Sequence, residues 1–311
     1  MPKCRRAAAA LAAMLAVAEA CAQTPARAPE VAVPFHVIGH RGAAGHAPEN
    51  TLAAFAAADA LGVDEVELDV RLSRDGALVL FHDDDLAAKT QLSGRVEDHD
   101  LAELVRADLG PWFGRQHPRR RGGTATGPLS RTYIATLGEV FAAYGPRFVY
   151  HLEVKGAQPS LPARILDAVR EAGLQGRVRL TSFSFAQLQR ARALDAQVPI
   201  DWLARSPRTP LWSLSSGESE ALLAQQVEMA ERAREAHFDG ICFRASQASR
   251  ELVEAVHERG LEMRAYGVRD ARDMEHAIAV GANGMTIDWP DLLQARLAAL
   301  EASGASGTPA D

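Results

Sequence analysis

The chain has 311 residues, 47% hydrophobic and 24% charged, enough for one large domain and ordinary for a globular protein. Its formal net charge of -6 gives no electrostatic reason to expect nucleic acid or an anionic membrane as a partner. Cys4 and Cys21 lie in or beside an N-terminal leader, so the rest of the chain holds a single thiol, Cys242, and no internal disulfide.

The chain opens like an export leader. Lys3, Arg5 and Arg6 precede an apolar segment, Ala7 to Ala18, that is too short to span a bilayer comfortably. Ala18-Glu19-Ala20 and Ala20-Cys21-Ala22 both resemble leader-peptidase sites. Residues 1–22 are therefore read as a signal peptide cleaved before Gln23, and 23–34 as a linker. The expectation is an exported protein, periplasmic or secreted, with no transmembrane span in the mature chain. Lipid attachment at Cys21 is the alternative, although Glu19 sits badly in a lipoprotein signal.

Strand patterns follow at 35–40, 65–72, 148–154, 177–182, 199–204, 239–243, 261–266 and 284–287. Helical patterns fall between them at 49–61, 136–144, 160–173, 184–195, 218–236, 249–259, 270–280 and 290–301. Eight strands alternating with helices imply parallel pairing. The expected fold class is α/β, a closed (β/α)8 TIM-type barrel over 35–301. A doubly wound open sheet is the competitor, and no G-x-G-x-x-G fingerprint follows the first strand.

Two segments break the rhythm. Residues 77–82 form an extra short strand, joined to 65–72 by the turn Ser73-Arg74-Asp75-Gly76. Residues 84–135 form a small insertion with little helix beyond 100–106, expected to cover the active-site end. Within it, Arg119-Arg120-Arg121 reads as a solvated loop, with a contact to an anionic substrate as the alternative. Cys242 sits in an apolar run and is expected to be a small buried hydrophobe. The tail, 302–311, is small, polar and expected to be disordered.

Residues two apart share a strand face, so Glu65, Glu67, Asp69 and Arg71 point one way and Val66, Leu68, Val70 and Leu72 the other. In a barrel the apolar face packs on helices and the charged set points inward or up at the mouth. A hairpin symmetric about its turn pairs Leu72 with Ala77 and sets Glu67 opposite His82. The first strand ends His40-Arg41-Gly42, where barrel enzymes keep catalytic groups. Pro48-Glu49-Asn50-Thr51 starts a helix, and Glu49 is either its cap or part of the site. His151, Glu153 and Lys155 share a face at the end of 148–154. Glu67, Asp69 and Glu153 then converge, and three carboxylates in one cavity repel unless a cation neutralises them. All-oxygen ligation points to one divalent cation, Ca2+ or Mg2+. With an arginine and a lysine to meet a phosphate and two histidines for proton transfer, the constellation predicts phosphodiester cleavage. His99, His117 and His257 are expected to be surface or filler.

The pattern H-R-G, E-N-T, E-x-D, H-D, E-x-K from His40 to Lys155 closely resembles the glycerophosphodiester phosphodiesterases. Ala107 to Phe113, Ile134 to Glu139 and Asp288-Trp289-Pro290 are similar to other segments of that family, and the resemblance spans about 36–297. It implies a (β/α)8 barrel whose small insertion helps bind the alcohol, with Glu67, Asp69 and Glu153 on the metal. His40 and His82 would be the acid–base pair, in an order left open. Arg41 and Lys155 would bind phosphate, Glu49 would join the site, and Ser182, Phe183 and Tyr266 would line the pocket. The family's W-T-V-N-like run is here Tyr266-Gly267-Val268-Arg269, so substrate preference stays open. The implied reaction yields an alcohol and sn-glycerol 3-phosphate. Rival readings are a phospholipase D-like enzyme acting on lysolipids and an exported protein that binds phosphodiesters without cleaving them. The sequence carries no signal for oligomeric state.

Overall fold

Eight parallel strands close on themselves in the computed structural model, which describes residues 35–116 and 132–303. In chain order the strands are β1 (His36–Gly39), β2 (Glu65–Leu72), β3 (Leu78–Leu80), β4 (Val149–Val154), β5 (Val178–Ser182), β6 (Ile200–Leu203), β7 (Gly240–Arg244), β8 (Glu262–Tyr266) and β9 (Gly284–Ile287). β1 pairs in parallel with both β2 and β9, which shuts the barrel; β3 adds to β2 antiparallel and stays outside the ring. The helices are α1 (Leu52–Ala60), α2 (Leu101–Leu104), α3 (Gly110–Gln116), α4 (Leu137–Tyr144), α5 (Leu161–Glu171), α6 (Phe185–Leu194), α7 (Ser216–Glu235), α8 (Arg250–His257), α9 (Ala271–Ala279) and α10 (Pro290–Ala302). The expected leader, linker and basic run, His117 and the tail from Gly304 onward lie outside the described residues. Among the described residues, no helix is long and apolar enough to cross a membrane.

Strand alternation decides what goes where. Val66, Leu68 and Val70 are completely buried on the outer face of β2, in one core with Phe55 of α1, Val140 of α4 and Ile165 of α5. Each such side chain contributes about 1.5–3 kcal/mol by leaving water. Local signals agree with the packing. Thr136 and Ser215 cap α4 and α7 through reciprocal hydrogen bonds with Glu139 and Glu218.

The inner face is polar from the floor upward. Glu65 bonds both His36 and His151 (2.7 Å to the latter), and Asp201 takes Arg179 at 2.6 Å and Arg264 at 2.7 Å. Burial would raise the Glu65 carboxyl, but the hydrogen bonds from His151 and His36 outweigh it and hold it low.

The hairpin differs from its expected register by one residue. Leu72 faces Leu78, not Ala77, and Val70 faces Leu80. The loop is thus five residues long, closed by Ser73, whose N–H donates to the Ala77 carbonyl and whose Oγ accepts from the Ala77 N–H. On that ladder His82 would fall opposite Leu68 and turn away from the carboxylates. The paired strand ends at Leu80 with one further backbone bond, from the Phe81 N–H to the Asp69 carbonyl at 3.0 Å; beyond it Arg71 donates to the carbonyls of Phe81 and His82 (3.0 and 2.8 Å), bending the chain back over the mouth. The segment after β3 has a small core of its own, built on Val79, Phe81, Leu86, Leu104, Leu109 and Ile134.

Candidate active site

The turn after β1 is built to hold two side chains over the barrel. Arg41 has φ +50°, a left-handed conformation costing about 1–2 kcal/mol for a residue with a Cβ. Its N–H donates to Glu67 Oε2 at 3.0 Å, which offsets part of that cost. The next residue is Gly42 at φ +89°, where a Cβ would lie 2.7 Å from the Ala54 backbone, so only glycine lets α1 pack here. α1 is capped by Thr51, not by Glu49. Glu49 instead accepts from Arg41 Nη1 at 2.7 Å and Lys89 Nζ at 2.8 Å.

Glu67, Asp69 and Glu153 each offer an oxygen within 4.8 Å of the others, and all three are buried. Their neighbours are cationic. Lys155 lies 2.8 Å from Glu153 and 3.3 Å from Asp69, and Arg41 lies 3.1 Å from Asp69. Asn50 fixes Asp69 from behind, donating to Oδ2 at 2.7 Å and accepting from its N–H at 3.1 Å. Burial, Asp69 and Glu153 together push the Glu67 carboxyl well above its usual range. Burial likewise pushes Glu153 up to about 7, against the pull of Lys155. Asp69 goes the other way: burial is outweighed by the charges of Lys155 and Arg41, and its carboxyl stays low. Glu67 Oε1 is buried without a hydrogen-bond partner, and Asp69 Oδ1 is buried with only the Lys155 ammonium, at 3.3 Å, beside it. An orphaned carboxylate oxygen in an all-oxygen cluster fits a divalent hard cation.

Both histidines carry an aspartate on the same ring nitrogen. His40 Nδ1 is 2.5 Å from Asp288 and His82 Nδ1 is 2.6 Å from Asp83. With Nδ1 as donor, Nε2 of each ring is left to accept or deliver a proton. His40 Nε2 lies 3.9 Å from Glu67. Burial lowers the His82 imidazole, favouring its neutral form.

His40, Arg41, Glu67, His82, Glu153 and Lys155 line one cavity of about 530 Å³ at the carboxyl ends of the strands. Phe183 and Tyr266 line it too, their rings 5.4 Å apart and edge to face. Ser182 does not. Its hydroxyl donates to the Val154 carbonyl at 2.8 Å and accepts from the Ser184 N–H, a strand-end clamp, while Thr181 on the opposite face of β5 reaches the cavity. His99 and His257 bond to Ser93 and Asn283 on exposed surface. Cys242 is buried, as expected, at the cavity edge.

The sequence reading gave no role to Lys89, nor to two aspartates that its motifs contain, Asp83 of H-D as the partner of His82 and Asp288 as the partner of His40. Lys89 joins Asp83 at 2.9 Å to Glu49 at 2.8 Å, so one ammonium ties the His82 dyad to the Arg41 pair. Asp83 was discoverable as the neighbour of His82. The other contacts span 40 and 248 positions and leave no local pattern.

A family model described as the glycerophosphoryl diester phosphodiesterase family matches residues 40–292. A glycerophosphodiester phosphodiesterase of Caldanaerobacter subterraneus is 30% identical over 261 residues, which cover 83% of this chain and 95% of that protein. A lysophospholipase D of Mus musculus is 25% identical over 280 residues, 84% of this chain and 81% of its own. Among solved structures, an Oleispira antarctica phosphodiesterase in complex with the product sn-glycerol-3-phosphate matches with a TM-score of 0.69 and 25% identity, covering 86% of this chain and 97% of that one.

Proposed function

We propose, from the premise that this chain belongs to the glycerophosphoryl diester phosphodiesterase family, that it cleaves glycerophosphodiesters with a divalent cation on Glu67, Asp69 and Glu153 and with His40 and His82 moving the protons. It is a phosphoric diester hydrolase with a small-molecule glycerophosphodiester substrate; the products proposed are an alcohol and sn-glycerol 3-phosphate. The observation that carries the mechanism is the clustering of the three carboxylates, with Glu67 and Glu153 lining the same cavity as two aspartate-backed imidazoles.

Arg41 and Lys155 bind the non-bridging phosphate oxygens, and the carboxylates around them keep both side chains in place. A bound Ca2+ or Mg2+ supplies Lewis-acid polarisation of a phosphoryl oxygen. One imidazole takes a proton at Nε2 from the nucleophile, either water directly or the substrate's neighbouring hydroxyl with water then opening the cyclic phosphate, as its oxygen bonds to phosphorus; the other imidazole gives a proton to the alkoxide whose P–O bond breaks. Each transfer contributes about 10²–10⁴-fold. Phe183 and Tyr266 wall the organic part of the substrate and exclude water.

Action on lysolipids is the second reading, supported by the Mus musculus relative. Against it, Leu86, Leu104 and Leu109 of the insertion turn inward, and its described part has no large exposed hydrophobic side chain to form a lipid-facing rim. Export is proposed on the leader-like N-terminus, and the mass of the mature protein tests cleavage before Gln23.

The deciding assay is release of sn-glycerol 3-phosphate from glycerophosphocholine, run beside choline release from a lysolipid. The expected result is turnover of the first alone, with at least about a hundredfold loss in His40→Ala and in His82→Ala. Wild-type turnover by both variants would remove the acid–base pair.

A further inference from the structure

The cavity changes sign from one side to the other. Its carboxylates come from β2, β4 and the turn after β9, as Glu67, Glu153 and Asp288. From β5 round to β8 its wall carries no carboxylate, and every charged member is an arginine: Arg208, Arg244, Arg264 and Arg269. Two of these are already neutralised, Arg264 by Asp201 and Glu262 and Arg269 by Asp273. Arg208 and Arg244 have no carboxylate partner among the described residues, and Arg244 Nε is buried without a hydrogen-bond partner.

The aromatic pair is wrapped in the same charge. The Arg205 guanidinium lies 5.0 Å from the Phe183 ring, Lys155 lies 5.8 Å from it, and Arg244 lies 5.2 Å from the Tyr266 ring. Gly267 makes room for this arrangement. A Cβ there would stand 2.6 Å from Arg244 Nη1, so the guanidinium lies across bare backbone. Positive charge therefore runs unbroken from the phosphate-binding Lys155 to the far wall.

We propose that Arg208 and Arg244, with Arg205 behind Phe183, form a subsite for a second anionic group, so that the preferred substrates are glycerophosphodiesters carrying a phosphate or carboxylate beyond the scissile phosphate. The proposal rests on the hydrolysis reading above and narrows it. An unpaired guanidinium at the rim of the cavity recognises a planar or tetrahedral oxyanion through paired N–H donors. Aromatic rings alone would welcome a quaternary ammonium. Here those faces are already held by cations of the protein itself, which repel a choline-like group.

Three diesters sharing one glycerophosphoryl half test it: glycerophosphoglycerol 3-phosphate, glycerophosphoglycerol and glycerophosphocholine. The expected order of kcat/KM is anionic, then neutral, then cationic, with about tenfold between the first two. That gap shrinks in about 0.5 M NaCl, because the arginines sit at a solvated mouth. Arg244→Met and the exposed Arg208→Met each lower the anionic-to-neutral ratio about tenfold. Equal rates on all three diesters, or a ratio unchanged in both variants, would overturn the subsite. A chain that cleaves none of the three overturns the hydrolysis reading instead. In that case calorimetric binding of the same three compounds to His82→Ala protein reads the subsite, with the same order supporting it and equal affinities ending it.

Discussion

Replacing Lys89 with methionine removes one ammonium and strands two carboxylates. Lys89 is only about one-tenth exposed and bonds Glu49 and Asp83 at 2.8 and 2.9 Å. Its ammonium also lies 5.1 Å from the Trp112 ring of α3, within the insertion, so the bond to Glu49 ties that packed segment to the barrel mouth. A charge-assisted hydrogen bond contributes about 1.5–3 kcal/mol, and two share this cation, so the loss in stability is expected at about 2–4 kcal/mol. For a domain of this size that lowers Tm by about 4–16 °C. The catalytic loss has a separate cause. Asp83 sets the His82 ring, and an Asp83 released from Lys89 lets the imidazole drift; a displacement near 1 Å costs about a hundredfold. The expected profile is a kcat lowered about 10- to 100-fold with KM changed far less, and partial recovery in Lys89→Arg. Thermal unfolding and steady-state kinetics on glycerophosphocholine read both effects. A methionine variant within twofold of wild type in kcat and within 1 °C in Tm would refute the tie between the insertion and His82.

Other outcomes follow from the same geometry. Asp288→Asn removes the carboxylate that holds His40 Nδ1, and kcat is expected to fall about a hundredfold with the fold intact by circular dichroism. Asp201 is buried between Arg179 and Arg264, and their charges outweigh burial and hold its carboxyl low. A depressed folded-state value stabilises the protein above the unfolded carboxylate pKa of about 3.9 and loses that contribution as pH falls below it. Asp201→Asn is therefore expected to cost about 3–5 kcal/mol at pH 7 in urea unfolding, with the gap to wild type closing under acid. Burial pushes the Cys242 thiol up, so iodoacetamide at pH 8 is expected to label it only after unfolding.

The barrel was legible because each strand carries its own instruction. β2 alternates buried Val66, Leu68 and Val70 with Glu65, Glu67 and Asp69, and a two-residue period allows only one choice of inner face. β4 repeats this with His151 and Glu153, and parallel register sets Asp69 directly beside Glu153. The convergence of the carboxylates was thus written in strand spacing. The hairpin register was not, because it depends on whether the loop closes at Ala77 or Leu78, a choice made by the Ser73 hydrogen bonds. The family resemblance puts Ser182 in the pocket. Alternation along β5 gives that place to Thr181 and turns Ser182 toward the Val154 carbonyl. Lys89 and the Asp288–His40 contact were hidden for a simpler reason: their partners are supplied by distant segments that only the closed barrel brings together.

Cation binding by the chelator-stripped protein tests the central claim most directly. Calorimetric titration with Mg2+ or Ca2+ should show a single site, abolished in Asp69→Asn. Binding at pH 6 should release protons, because the Glu153 carboxyl stands up at about 7 until a cation displaces its proton. Turnover should vanish on stripping and return with the metal. Undiminished hydrolysis after exhaustive chelation, or equal cation binding by wild type and Asp69→Asn, would contradict the account.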